Sequence, residues 1–279
     1  MQAEQSLREG RLQDALAELQ AQVRKEPANA KYRIFLFQLL AVLGQWERAL
    51  NQLNVLDDMD ASSLPMVQTY REAIRCELLR AEVFAGHRSP LMFGDPEPWM
   101  ASLLEAVRLT AAGQHAPARA ARDQAFESAA TVAGTVDGQP FEWLADADPR
   151  LGPMLEAVVN GRYYWIPFQR IRSIQLEQPA DLRDYVWMPG RLTWANGGET
   201  VALIPARYPG SHAAADPLVQ LGRKTEWRDC GDDTWLGLGQ RMLATDQGEY
   251  SLLDLRRIEL NADEDPTEEI AAEAGAGDG

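Results

Sequence analysis

Cysteine is nearly missing from this sequence. Cys76 and Cys230 are the two present, and their wide separation excludes a disulfide framework and any CxxC redox pair. Histidine is as sparse. His87, His115 and His212 have no second His, Cys or carboxylate at ligand spacing, so no metal or cofactor site is predicted and all three read as surface-loop residues. Positive charge is short, with 27 Lys and Arg against 42 Asp and Glu. No basic stripe interleaved with aromatics is present, which excludes nucleic acid as a partner. No apolar run approaches the ~20 residues of a membrane span, and no basic, apolar leader opens the chain, so a cytoplasmic location is expected.

Several catalytic signatures are absent too. There is no GxxxxGK[ST] phosphate cradle, so any ATP-driven step belongs to another protein. There is no GxSxG elbow, and Pro209-Gly210-Ser211-His212 reads as a loop because adjacent side chains point apart. Gly237-Leu238-Gly239-Gln240-Arg241-Met242 begins like a dinucleotide fingerprint but lacks the third glycine and a following helix. It reads as a strand-edge or turn glycine pair.

What is present begins with a repeat. Gly10, Leu12, Ala15, Leu16 and Leu19 recur 34 residues later as Gly44, Trp46, Ala49, Leu50 and Leu53. That period is the tetratricopeptide one, in which helix pairs stack side by side and hold segments of other proteins in a concave face. Gly ends one helix, the small Ala admits its neighbour, and Pro27 stops the second helix. Helical spacing continues through Tyr70, Ile74, Leu78, Leu79 and Val83 to Gly86, and a third pair is predicted from Trp99 to about Ala130, turning at Gly113. Pro117 and Arg122 make that copy degenerate. Between them the segment from His87 to Pro98, with Pro90, Gly94, Pro96 and Pro98, is expected to hold neither helix nor strand. It reads as an ordered connector pinned by Met92, Phe93 and Trp99.

Near Gln139 the apolar period changes from 3.6 to 2, with strands expected from about Phe141. Asn196-Gly197-Gly198 marks one hairpin and Asp246-Gln247-Gly248 another. One helix is expected over roughly Leu151 to Val159, ended by Asn160-Gly161. The fold class is thus α+β, with three segments: a tetratricopeptide-like, almost wholly helical domain over 1–135, a small α+β domain over 136–260, and a tail over 261–279. The sheet of the second domain is mainly antiparallel and barrel-like if its ends curl together. Six of the eight tryptophans fall in this domain, which reads as core. The tail holds seven carboxylates and no cation, too little apolar area to offset ordering entropy, so it is expected to be disordered and solubilising.

One cluster carries chemistry. Asp146, Asp148 and Arg150 place two carboxylates beside a guanidinium, an arrangement able to hold a metal or move a proton. The structural reading has Asp148 capping a following helix, Pro149 in its first turn and Arg150 pairing locally.

Six strings then point to a family. They are Gly94-Asp-Pro-Glu-Pro-Trp99, Asp146-Ala-Asp-Pro-Arg-Leu-Gly-Pro153, Gly161-Arg-Tyr-Tyr-Trp-Ile-Pro-Phe168, Asp181-Leu-Arg-Asp-Tyr-Val-Trp187, Ile204-Pro-Ala-Arg-Tyr208 and Leu221-Gly-Arg-Lys-Thr-Glu-Trp227. In this order the chain resembles the ImpE/SciE family, over all but the acidic tail. That resemblance implies a non-enzymatic cytoplasmic adaptor of the type VI secretion system. Its implied partners are the N-terminal helix of the small sheath subunit TssB and the AAA+ ATPase ClpV, which disassembles the contracted sheath. The family brings no established catalytic residues to carry over. Two other classes compete: a hydrolase or metal-dependent enzyme centred on Asp146, Asp148 and Arg150, and an assembly chaperone for a secreted cargo. For an adaptor, the expected groove lies where the repeats meet the sheet domain, with Trp99, Tyr163, Tyr164 and Trp165 as candidate partner-binding residues.

Overall fold

A computed structural model describes residues 2–59 and 61–262. The acidic segment from 263 onward lies outside them. The N-terminal part is built from α1 (Gln2–Arg8), α2 (Leu12–Lys25), α3 (Ala30–Val42), α4 (Trp46–Met59), α5 (Leu64–Phe84), α6 (Pro98–Ala111) and α7 (His115–Ser128). In α2 the stripe Leu12, Ala15, Leu16, Leu19 and Val23 is buried, the i, i+3, i+4, i+7 face of an amphipathic helix.

The repeat glycines explain the turns. Gly10, Gly44, Gly86 and Gly113 all adopt φ between +65° and +76°. At Gly44 its N–H donates to Ala41 at 3.1 Å and the next N–H donates to Leu40 at 2.9 Å. The other three positions repeat this double bond, which satisfies the last carbonyls of each first helix. Gly44 is also a contact point: a Cβ there would stand 2.4 Å from the ring of His212, in the other half of the chain.

The strands are β1 (Leu91–Met92), β2 (Gly134–Val136), β3 (Gln139–Phe141), β4 (Leu144–Asp146), β5 (Met154–Val159), β6 (Arg162–Pro167) and β7 (Ile171–Leu176). They continue as β8 (Trp187–Trp194), β9 (Glu199–Pro205), β10 (Thr225–Asp229), β11 (Trp235–Gly239), β12 (Met242–Thr245), β13 (Gly248–Ser251) and β14 (Arg257–Leu260). Nine form one sheet in the order β1-β6-β5-β9-β8-β7-β14-β2-β3; β10-β11 and β13-β12-β4 form two smaller sheets. The nine-stranded sheet is antiparallel except for the β1 and β6 pair. It is open, with β1 and β3 at its edges, so no barrel closes.

Each face of the large sheet buries a core. Met154, Val158, Tyr163, Trp165, Trp187 and Leu203 pack with the helices. The alternate positions, among them Leu155, Ala157, Val159, Ile166, Met188 and Ile204, pack on the opposite side with Leu243 and Ile258. That alternation follows from the strand's period of two.

Several expectations are corrected. The helix placed over Leu151 to Val159 is a tight turn followed by β5, whose six residues are all buried. A strand covered on both faces loses its alternation and presents a continuous apolar run, which periodicity cannot distinguish from a buried helix. Asn160 and Gly161, read as a helix end, have φ of 50° and 72° and make the two-residue β5–β6 hairpin turn. Asp148 therefore caps no helix; its side chain instead accepts the Arg150 N–H at 2.9 Å within the turn. Strands also begin earlier than Phe141, at Gly134, and the proline-rich connector supplies β1, whose Leu91 and Met92 pair with Tyr164 and Trp165. Phe93 anchors it by stacking on Trp194 at 4.0 Å. His115 stands in the first turn of α7 rather than in a loop.

The degenerate third pair has a tertiary reason. Arg122 of α7 is buried and donates to Thr234 Oγ1 at 3.3 Å and the Asp233 carbonyl at 3.4 Å. It holds the β10–β11 connection against the helices.

Candidate functional site

Asp146, Asp148 and Arg150 do come together, inside a larger buried network where the helices meet the sheet. Glu156 is at its centre, on the helix-facing side of β5 and fully buried. It accepts Arg80 Nε at 2.7 Å and Arg80 Nη2 at 2.9 Å, and also Arg241 Nη2 and the Tyr163 hydroxyl. Trp165 Nε1 donates to that hydroxyl at 2.7 Å. Burial pushes the Glu156 carboxyl up, but the guanidiniums of Arg80 and Arg241 outweigh it and hold its pKa at about 2.

From Glu156 the network runs both ways. Arg80 Nη2 also donates to the Arg207 carbonyl at 2.9 Å, and Arg207 Nη1 donates to the Val42 carbonyl at 2.9 Å. A sheet-domain guanidinium thus satisfies an end carbonyl of α3. Burial, which the Glu77 carboxylate only partly offsets, lowers the Arg207 pKa to about 10. On the other side, Arg241 Nη1 lies 3.5 Å from Asp146 Oδ2, and Asp146 Oδ1 accepts the Asp148 N–H at 2.9 Å and the Tyr208 hydroxyl at 3.1 Å. Burial raises the Asp146 pKa to about 7; Arg241 opposes the rise and Asp148 adds to it.

A carboxyl that titrates near 7 has the pKa of a general acid or base. Its surroundings do not admit a reactant. Asp148 accepts Arg150 Nη2 at 2.6 Å, Arg150 Nε at 2.9 Å and the Gly237 N–H at 2.8 Å, so both its oxygens are engaged. The nearby cavity, lined by Arg80, Arg207, Tyr208, Ser211 and His212 among others, has about 50 Å3, room for a few waters at roughly 10–15 Å3 each on this measure. Among the described residues no group of three His, Cys, Asp or Glu is placed to hold a metal ion. The glycine pair has a packing reason: a Cβ on Gly237 would stand 2.3 Å from the Tyr208 ring.

The aromatic candidates divide. Trp99, Tyr163 and Trp165 are buried in the core shared by helices and sheet. Tyr164 points to the other face and is half-buried, edge-on to Phe93 at 6.2 Å. The tryptophans of the second half divide likewise, with Trp165, Trp187 and Trp194 buried but Trp143 and Trp235 exposed. We predict that Trp165→Phe lowers stability by about 1–2 kcal/mol, through lost volume and the lost bond to Tyr163. Tyr164→Phe should change it by less than about 0.5 kcal/mol. Urea unfolding of both variants checks this.

An open cleft lies elsewhere on the helix–sheet boundary. Its volume is about 540 Å3, and its walls are Glu4, Leu7 and Arg8 of α1, Lys31, Ile34, Phe35 and Gln38 of α3, the segment 179–182, Tyr185 and Arg223. The segment 182–187 explains its limits. Leu182, Val186 and Trp187 join the helical core, and Trp187 packs on Tyr70 and Trp46 at 5.6 and 5.9 Å. The chain's own sheet domain thereby fills the repeat face beside α5 and leaves the α1–α3 end open. Ile34 and Phe35 carried a signal in the sequence. In α3 the run Ile34-Phe-Leu-Phe-Gln-Leu-Leu-Ala-Val42 is apolar on every side, and a helix apolar all round has partners on more than one face.

Residues 6–74 match the family model for the tetratricopeptide repeat, and residues 138–259 match that for the ImpE protein. The chain is 56% identical over 260 residues to the type VI secretion system accessory component TagJ of Pseudomonas aeruginosa strain PAO1, covering 93% of this chain and 91% of that one. Its fold resembles the crystal structure of protein VPA1032 from Vibrio parahaemolyticus, with a TM-score of 0.85 at 24% identity, over 93% of this chain and 97% of the other.

Proposed function

The chain belongs to the ImpE family, and from that membership we propose that it is an accessory adaptor of a bacterial type VI secretion system. On this reading it is non-enzymatic and works in the cytoplasm. It captures the N-terminal helix of the small sheath subunit TssB and brings the contracted sheath to the ATPase ClpV. The name of the Pseudomonas relative supports the secretion-system role. The observation that carries the binding mode is the open cleft between α1, α3 and the segment 179–185, where Leu7, Ile34, Phe35, Leu182 and Tyr185 offer apolar surface. An open cleft with this apolar floor suits the apolar face of a helix. Of the four aromatic candidates, Tyr164 alone keeps partial exposure.

The test is a titration of a synthetic peptide of the sheath subunit's N-terminal helix, with pull-downs of the sheath subunit and the ATPase separately and together. Phe35→Ala should weaken peptide binding at least tenfold, a loss of about 1.4 kcal/mol or more, while the variant stays folded. Tyr164→Ala serves as the comparison at the other aromatic position. Equal affinity of the Phe35 variant and the parent protein would move the site out of the cleft.

A further inference from the structure

We propose that the occupant of this cleft is an amphipathic α-helix whose apolar stripe is flanked by carboxylates, an inference that rests on the adaptor reading above. Three cations from three separate elements stand around the apolar floor: Arg8 of α1, Lys31 of α3 and Arg223 in the loop before β10. All three are exposed. Among the described residues none of their side chains has an ion-pair or hydrogen-bond partner.

In this chain carboxylates outnumber cations 42 to 27, so a cleft bordered by three unpaired cations runs against the overall balance. Some exposed cations take acidic neighbours, Arg11 with Glu9, Arg108 with Glu105 and Arg257 with Glu259, whereas the three at the cleft are set apart by standing around one apolar floor. Lys224, next to Arg223, bridges Asp216 at 2.9 Å and Glu226 at 2.6 Å, so acid is available nearby and Arg223 still stands apart. The two carboxylates of the cleft do not neutralise the rim. Asp181 pairs with Arg183 at 2.7 Å, and Glu4 has its own partner. An acidic chain thus presents an apolar floor ringed by unpaired positive charge. Apolar anchors set how long a helix stays, and complementary rim charges set its orientation, its capture rate and which helices are refused.

The experiment uses the full chain and two synthetic helical peptides with the same apolar stripe, one flanked by Glu and one by Lys. Titration at about 50 mM salt should show the Glu-flanked peptide binding on the order of tenfold tighter or more. The triple variant Arg8→Glu, Lys31→Glu, Arg223→Glu should reverse that preference, and the ratio should shrink toward one at about 1 M salt, where screening is nearly complete. All three positions are exposed, so circular dichroism should show the variant folded. Equal binding of the two peptides, a preference for the Lys flank, or no binding of either overturns the proposal. Binding of the Glu-flanked peptide only after removal of residues 263–279 also overturns it, because the chain's own acidic tail would then be the occupant. The adaptor reading is judged separately, by the sheath-subunit peptide with Phe35→Ala. If that peptide needs Phe35 but ignores the triple reversal, the charge inference fails and the adaptor stands.

Discussion

Glu156→Ala should destabilise the fold by at least roughly 3–5 kcal/mol, the range for breaking a buried ion pair by removing one partner. The carboxylate is fully enclosed and neutralises two guanidiniums, Arg80 and Arg241, which are themselves buried. Alanine leaves both cations without their counter-charge and also leaves a void. For a chain of this size, each kcal/mol corresponds to about 2–4 °C, so the thermal midpoint should fall by roughly 6–20 °C. The loss should be concerted, because Arg80 comes from α5, Glu156 from β5 and Arg241 from the entry to β12, and the three hold helices to sheet. The triple variant Arg80→Met, Glu156→Leu, Arg241→Met should recover most of the loss, since apolar residues of similar volume need no counter-charge. Urea unfolding of both variants is the measurement. A cost below about 1 kcal/mol for Glu156→Ala would mean that water reaches the cluster and screens it.

Stability should peak on the acidic side of neutrality and decline toward pH 8, because of Asp146. In the fold this carboxyl keeps its proton up to about pH 7, whereas unfolded it releases it near its ordinary value of 3.8. Between those limits the folded state binds more protons than the unfolded one, so stability falls as pH rises. The span allows a loss of up to about 4 kcal/mol, at ~1.4 kcal/mol per pH unit. Glu156 acts with the opposite sign. Its folded pKa of about 2 lies below the ordinary value of 4.5, so its contribution is complete above about pH 4.5 and is lost as pH falls toward 2. Together they place the maximum near pH 4 to 5. Asp146→Asn mimics the neutral form and keeps an acceptor for the Tyr208 hydroxyl, so it should remove the decline between pH 5 and 8. Urea midpoints of both proteins at pH 5 and 8 decide it. A wild-type decline that persists unchanged in the Asn variant would assign the effect to other groups.

Much of the helical half was legible because its determinants are local. The glycines 34 residues apart, the stripe of α2 and the stop at Pro27 act through neighbours within one or two turns, so the order of letters contains the whole cause. The same holds for the turn at Asn196-Gly197-Gly198. The proline-rich connector was legible as a pinned segment but not as strand β1, since a two-residue strand exists only through its pairing with β6. The sequence of β5 reads as a helix for the same reason: its meaning depends on what covers each face, which no spacing within the segment encodes.

The candidate site divides along that line. By itself the sequence determined the repeat architecture, the change of period near the sheet, the family, and the closeness of Asp146, Asp148 and Arg150. Tertiary structure alone decided that these three are sealed beside Glu156. It also decided that Arg80 and Arg241, 76 and 85 residues from Glu156, complete the cluster, and that Trp99, Tyr163 and Trp165 serve the core. The cleft arises likewise from α1, α3, the segment 179–185 and Arg223, which only folding brings together. The physical reason is range. Helix stripes and turns are set by steric and hydrogen-bonding preferences of a few consecutive residues, whereas burial, pairing of charge and exposure depend on distant segments that meet only when the chain has closed upon itself.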